Sequence, residues 1–199
     1  MGGEAQNGPQ ALALKTKADR IAFYNCKFRS FQDTWMTTTR DADRHYVKEC
    51  WLEGAVDYFY GGGNALVEES TLYNVRSGSV IVAPCHESVK YGYVFRNCVI
   101  DGNEQAADGK LKLGRPWHNS PKAVYINTLV KIPLAPEGWT NMGTIPALFA
   151  EYNSMDMNGK ALDLSCRKME YETGGKEKRK GNAGLQLLRM RQLYILMKT

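Results

Sequence analysis

A chain of 199 residues, 43% of them hydrophobic, is long enough for one domain with a continuous core. No run of about 18 apolar residues occurs, which excludes a membrane-spanning helix, and Met1-Gly2-Gly3-Glu4 lacks the apolar core of a secretory signal. The formal charge of +5 resides in the tail: residues 172–199 carry seven basic and two acidic side chains, which leaves 26−7 = 19 basic and 21−2 = 19 acidic groups in the body. A neutral body argues against nucleic acid or a membrane as its partner. The short cluster from Lys176 to Lys180 reads as a solvated linker, although such clusters do bind acidic surfaces in other settings.

In chain order, the first element is Gln10-Ala11-Leu12-Ala13-Leu14, which already reads as the middle of a strand. Alternating strands follow at Phe23 to Phe28, His45 to Leu52, Ala65 to Leu72, Tyr93 to Ile100 and Val124 to Val130, each rich in aromatic and β-branched residues and each followed by Gly- or Asp-bearing turns. Aligned on Cys26, Cys50, Ser70, Cys98 and Thr128, they repeat at steps of 24, 20, 28 and 30 residues (50−26, 70−50, 98−70, 128−98). Periods of about 20–50 residues mark solenoids, propellers and arrays. No intervening segment carries capped helical periodicity. The reading is therefore all-β: a parallel β-helix whose unequal rungs place their insertions in turns on one side. An antiparallel sandwich is the alternative, but its tight Asn-Gly-type hairpins are few here. A solenoid needs a capped first coil, so the helix is expected to be incomplete at its N-terminal end, with the cap supplied from elsewhere or the chain a fragment. Leu185 to Met197, rich in Leu, Met and Arg, is expected to form an amphipathic helix unlike the repeats.

Two aspartates occupy matched positions in successive repeats. Asp33 lies seven residues after Cys26 (33−26) and Asp57 seven after Cys50 (57−50). Equal offsets stack the carboxylates on one face, and neighbouring carboxylates push their pKa values apart, as acid/base and nucleophilic chemistry requires. The five cysteines show no CxxC spacing, which argues against a zinc site. Cys26, Cys50 and Cys98 read as small apolar core groups, and a disulfide between adjacent coils is left open. His45, His86 and His118 are scattered and are expected on the surface or in a groove, with no Ser-His-Asp or Cys-His arrangement.

Taken together, the motifs resemble the pectin methylesterase (pectinesterase) family. Gln10 to Leu14 matches QAVAL, Gln32-Asp33-Thr34-Trp35 matches QDTL, Val56-Asp57-Tyr58-Phe59-Tyr60-Gly61 matches VDFIFG, and Leu113-Gly114-Arg115-Pro116-Trp117 is LGRPW itself. Pro136-Glu137-Gly138-Trp139 and Phe149 to Asn153 look like later landmarks. The resemblance covers residues 5 to 171 and implies a right-handed parallel β-helix over residues 1–171, with 172–199 a basic tail.

Carried onto matching positions, it implies catalytic roles for Asp33, Asp57, Gln32 and Arg115. Asp57 is the nucleophile toward a methyl-ester carbonyl, and Asp33 is first acid and then base. Arg115 pairs with Asp57, and Gln32 and Gln10 aim amide donors at the oxyanion. Tyr60 and Trp117 line the sugar groove, with Gln10 and Arg115 also contacting substrate. The implied partner is pectin (methylated homogalacturonan), met by a monomer in the cell wall or outside the cell, with no metal or other cofactor. An inactive or pectin-binding fragment is the alternative, and glycoside hydrolysis is a rival for any carboxylate pair. Trp35 and Met36 depart from the family's leucine and tyrosine and are expected to reshape the groove. Tyr58 and Tyr60 are expected to add hydroxyls beside the stacking faces. Trp51 and Trp139 are expected in the core or groove wall.

Overall fold

The computed structural model describes residues 10–167 and two further short strands, Glu172–Thr173 and Glu177–Lys178. The helix expected over 185–197 lies outside the described residues, as do residues 1–9 and the side chains of the basic cluster at 176–180. The first strands of successive coils, β1 (Leu14–Lys15), β4 (Trp35–Met36), β7 (Val56–Gly61), β10 (Val80–Pro84) and β13 (Lys112–Gly114), pair in parallel as sheet A. Sheet B stacks β2 (Ile21–Tyr24), β5 (Arg44–Lys48), β8 (Asn64–Glu68), β11 (Tyr93–Arg96), β14 (Lys122–Ile126) and β16 (Leu148–Tyr152). Sheet C stacks β3 (Lys27–Arg29), β6 (Trp51–Gly54), β9 (Thr71–Asn74), β12 (Val99–Gly102), β15 (Leu129–Val130) and β17 (Met155–Asp156). Every rung of the repeat is thus one coil of a parallel β-helix.

Alternation along each strand sends every second side chain inward, and in-register pairing stacks like upon like. On sheet B the inward row runs Phe23, Val47, Val67, Phe95, Tyr125, Glu151. On sheet C it runs Phe28, Leu52, Leu72, Ile100, Val130. Phe95 stacks on Tyr125 at 4.7 Å and Trp139 on Phe149 at 4.5 Å between ring centroids, close to the roughly 4.8 Å rise between neighbouring strands. The last inward rung is polar, and Arg167 donates from Nε to Glu151 Oε1 at 2.7 Å with both side chains buried.

The chain passes from sheet B to sheet C through one sharp turn per coil. Asn25, Glu49, Glu69, Asn97, Asn127 and Asn153 all hold φ between 49° and 54° there. This left-handed region suits asparagine and is strained for glutamate. Asn127 Nδ2 donates to Asn97 Oδ1 (3.1 Å) and Asn153 Nδ2 to Asn127 Oδ1 (2.9 Å), forming an amide ladder. Immediately after it stand Cys26, Cys50, Ser70, Cys98, Thr128 and a sixth rung, Ser154, which the sequence alignment did not include.

Two histidines depart from expectation. His45 and His86 are buried rather than on the surface or in a groove. His45 faces Thr16 Oγ1 through Nε2 (3.1 Å), and His86 Nε2 accepts from the Lys122 backbone N–H (2.6 Å). Burial lowers both imidazoles, His86 to about 4, so they serve as neutral hydrogen-bonding core groups. Only His118 is exposed.

Candidate active site

Sheet A carries the candidate site. Gln10 pairs with Gln32 and Gln32 with Val56 as isolated parallel bridges, and Trp35 pairs with Phe59, so Asp33 and Asp57 occupy equivalent positions on adjacent coils. The Asp33 backbone N–H donates to Val56 O at 3.0 Å. Both aspartates sit in the left-handed region, with φ of 61° and 52°. Val56 to Phe59 spans three steps where Val80 to Val82 on the next coil spans two, so Asp57 is the extra residue of a β-bulge. A bulge of this kind re-aims a side chain out of the sheet, and Asp33, in register with Asp57 and in the same left-handed region, is turned the same way.

The left-handed residue also reverses inside and outside in the rest of each strand. Thr34 and Trp35 after Asp33, and Tyr58 and Phe59 after Asp57, are all fully buried. Trp35 therefore does not shape the groove: it packs edge-on against Phe23 and Phe59 in the core. Tyr58 likewise presents no face to the groove, its hydroxyl donating to Asn74 Oδ1 at 3.3 Å inside the core. Thr34 Oγ1 donates to Glu53 O at 2.9 Å. These anchors press against Gly54, where a Cβ would lie 2.3 Å from Tyr58 Cβ and 2.9 Å from Thr34 Oγ1. Only glycine leaves room for both anchors, a supporting role the motif reading missed although Gly54 stands three residues before Asp57.

Arg115 follows β13, two coils beyond Asp57, and spans back across the intervening strand. Its Nε donates to Asp57 Oδ1 at 2.9 Å and its Nη2 to Asp57 Oδ2 at 2.5 Å. This fork–fork geometry is the strong, orienting form of an ion pair, and Asp57 is buried beneath it. Asp33 makes no side-chain hydrogen bond among the described residues and is half-buried. Burial, then the charge of Asp57, push its carboxyl up to about 6, with Arg115 opposing. Gln32 is half-buried, Gln10 is exposed, and among the described residues neither side-chain amide is engaged in a hydrogen bond.

Met36, Tyr60 and Trp117 stand beside the carboxylates, where the groove was expected. Met36 pairs with Tyr60 across the strands, and both point outward, opposite Trp35 and Phe59. Trp117 meets Tyr60 edge-on at 5.7 Å and is fixed by its backbone N–H to Pro84 O at 3.0 Å. Burial, and then Asp33 and Asp57, raise the Tyr60 phenol. Thr37, whose backbone N–H donates to Tyr60 O at 2.8 Å, also bonds the Tyr93 hydroxyl at 2.7 Å and so ties Tyr60 to the core. Trp139 is buried in the core, whereas Trp51 lies half-buried on the outer face of sheet C, stacked on Tyr73, and belongs to neither core nor groove. No group of three or more metal-ligating side chains occurs among the described residues.

The candidate site residues Gln10, Gln32, Asp33, Asp57, Tyr60, Arg115 and Trp117 thus lie along or beside sheet A, whereas the landmark at 149–153 lies on sheet B. Two stacked aspartates, one forked by arginine, lie beside Tyr60 and Trp117 on one face of a parallel β-helix. A family model for pectinesterases matches residues 2–172, and the chain belongs to the pectinesterase family. It is 38% identical over 149 residues to pectinesterase 31 of Arabidopsis thaliana, covering 72% of this chain and 45% of that protein. It is 35% identical over 174 residues to the probable pectinesterase A of Aspergillus niger, covering 83% of this chain and 49% of that protein. The crystal structure of the deglycosylated pectin methylesterase from Aspergillus niger superposes with a TM-score of 0.73 at 30% identity, over 89% of this chain and 57% of that one. The chain spans about half the length of the curated relatives it matches.

Proposed function

We propose that this chain carries the catalytic centre of a pectin methylesterase, which hydrolyses methyl esters on the galacturonate units of pectin. The observation that carries the reading is the asymmetry of the aspartate pair: Arg115 forks Asp57 alone, while Asp33 is raised to about 6. Two neighbouring carboxyls with different proton affinities divide naturally into nucleophile and acid. Asp57 attacks the ester carbonyl carbon, and the resulting oxyanion is met by the amide N–H groups of Gln32 and Gln10. Collapse expels methanol as Asp33 gives up its proton to the leaving oxygen, leaving an anhydride on Asp57. Asp33, now a carboxylate, takes one proton from the water that attacks the galacturonyl carbon of that anhydride. Asp57 leaves as a carboxylate, Asp33 is protonated again, and the freed galacturonic acid gives its proton to solvent. Arg115 keeps Asp57 aimed throughout and compensates its charge. Trp117 and Tyr60 hold the sugar rings, and because the site supplies its own nucleophile and proton donor, no cofactor is implied. The polymer is taken by a single copy of the protein, and its location outside the cell goes with this substrate.

Methanol release from methylated homogalacturonan tests the reading. Asp57→Ala is expected to abolish it, and Asp33→Asn to lower kcat by about two to four orders of magnitude. Full turnover in Asp57→Ala, or shortening of the polymer without methanol, would count against the assignment. Retained pectin binding with no methanol release from the unaltered chain would favour the inactive-fragment alternative.

A further inference from the structure

Cys26 and Cys50 stand directly above one another on the first two coils. Their flanking residues pair in register on both sides, Tyr24 with Lys48 and Lys27 with Trp51. Neighbouring parallel strands lie about 4.8 Å apart, inside the roughly 4.4–6.8 Å between Cα atoms that a disulfide spans. The Cys26 backbone N–H donates to Cys50 Sγ at 3.3 Å, so the second sulfur is already held over the residue it would join. Cys26 is half-buried and within reach of a small solute, whereas Cys50 is buried. The same column offers no other such pair, because Ser70 separates Cys50 from Cys98, and its hydroxyl accepts the Cys50 N–H at 3.0 Å.

We propose that Cys26 and Cys50 are an oxidisable pair that closes an inter-coil disulfide on meeting a low-molecular-weight disulfide such as oxidised glutathione. The Cys26 thiolate attacks the oxidant, forming a mixed disulfide and releasing one glutathione thiol. Cys50 Sγ then attacks Cys26 Sγ and expels the second. Two protein thiols lose two electrons and two protons, and one glutathione disulfide becomes two thiols. Cys26 is half-buried and Cys50 buried, so the first attack falls to Cys26. The loop this bond closes contains Gln32 and Asp33, so the cross-link staples the first coil, with Gln10, to the coil that carries half of the aspartate pair.

The test exposes the native full chain to oxidised glutathione, blocks free thiols after denaturation, and maps unreduced peptides by mass spectrometry. The expected product is a Cys26–Cys50 peptide pair lighter by two hydrogens, with Cys85, Cys98 and Cys166 blocked as free thiols. The thermal midpoint should rise by about 5–10 °C on oxidation, and this rise should vanish in Cys26→Ser, a change at a half-buried position that leaves the fold in place. A stable glutathione adduct on Cys26 with Cys50 still free would overturn the proposal. Two free thiols after exposure, or an undiminished rise in Cys26→Ser, would do the same.

Discussion

At Asp33, burial and the charge of Asp57 act in the same direction, and the carboxyl holds its proton to about pH 6 instead of the ordinary 3.8. A folded-state value above the unfolded one means that stability present in acid is lost as pH rises through about 6. Asp33→Asn removes that loss. Its thermal midpoint should therefore exceed the wild type's at pH 7.5 and match it near pH 3.5, while activity collapses, which is the trade between stability and function expected of a strained site. A lower midpoint at pH 7.5 would show that the Asp33 carboxylate stabilises the fold. At this scale the motifs made Asp33, Asp57, Arg115 and the two glutamines legible, because each stands in a short, ordered pattern. Trp35, expected to reshape the groove, and Tyr58, expected to add a hydroxyl beside a stacking face, lie in the core, because the left-handed residue before each reverses which side chains point inward.

The turn between sheets B and C shows how one element repeats with unequal fitness. Asn97, Asn127 and Asn153 meet the left-handed φ with a side chain that tolerates it and bonds its neighbour, whereas Glu49 and Glu69 adopt the same φ without that help. Glu69 retains an ion pair with Lys48 at 3.3 Å, an exposed contact of little worth. Glu69→Asn is expected to extend the ladder from Asn97 and stabilise the protein by about 0.5–1 kcal/mol, read as a higher midpoint in urea at unchanged m-value. A decrease would show the Lys48 pair to be the stronger contribution. Five rungs of this element were visible in the sequence through the cysteine-position alignment. The sixth, at Asn153 and Ser154, went unread because its strand Leu148–Tyr152 ends in Glu-Tyr, with a charged residue where the core row should be apolar.

For the molecule as a whole, that charged residue marks the last described rung of the core. Glu151 lies at the end of the inward column under Tyr125, its carboxyl raised by burial with Arg167 opposing. Arg167 also donates from Nη1 to the carbonyls of Ala135 and Pro136, both at 2.9 Å. Arg167→Met leaves a buried carboxylate unpaired and should cost about 3–5 kcal/mol at pH 7. The loss should be smaller at pH 4, where a protonated Glu151 needs no counter-charge, and urea unfolding at the two pH values measures the difference. Equal losses would place the role of Arg167 in its carbonyl contacts alone. By itself the sequence determined the parallel β-helix, its period and the matched offsets of two aspartates, because strand alternation and repeat length are local properties written residue by residue. The resemblance already implied that Arg115 pairs with Asp57. Only the tertiary structure decided that it does so across an intervening coil through two hydrogen bonds, and that Asp33 stays half-buried with no side-chain hydrogen bond among the described residues. That asymmetry depends on which coils stack and where a bulge turns the chain, and neither is encoded within any single rung.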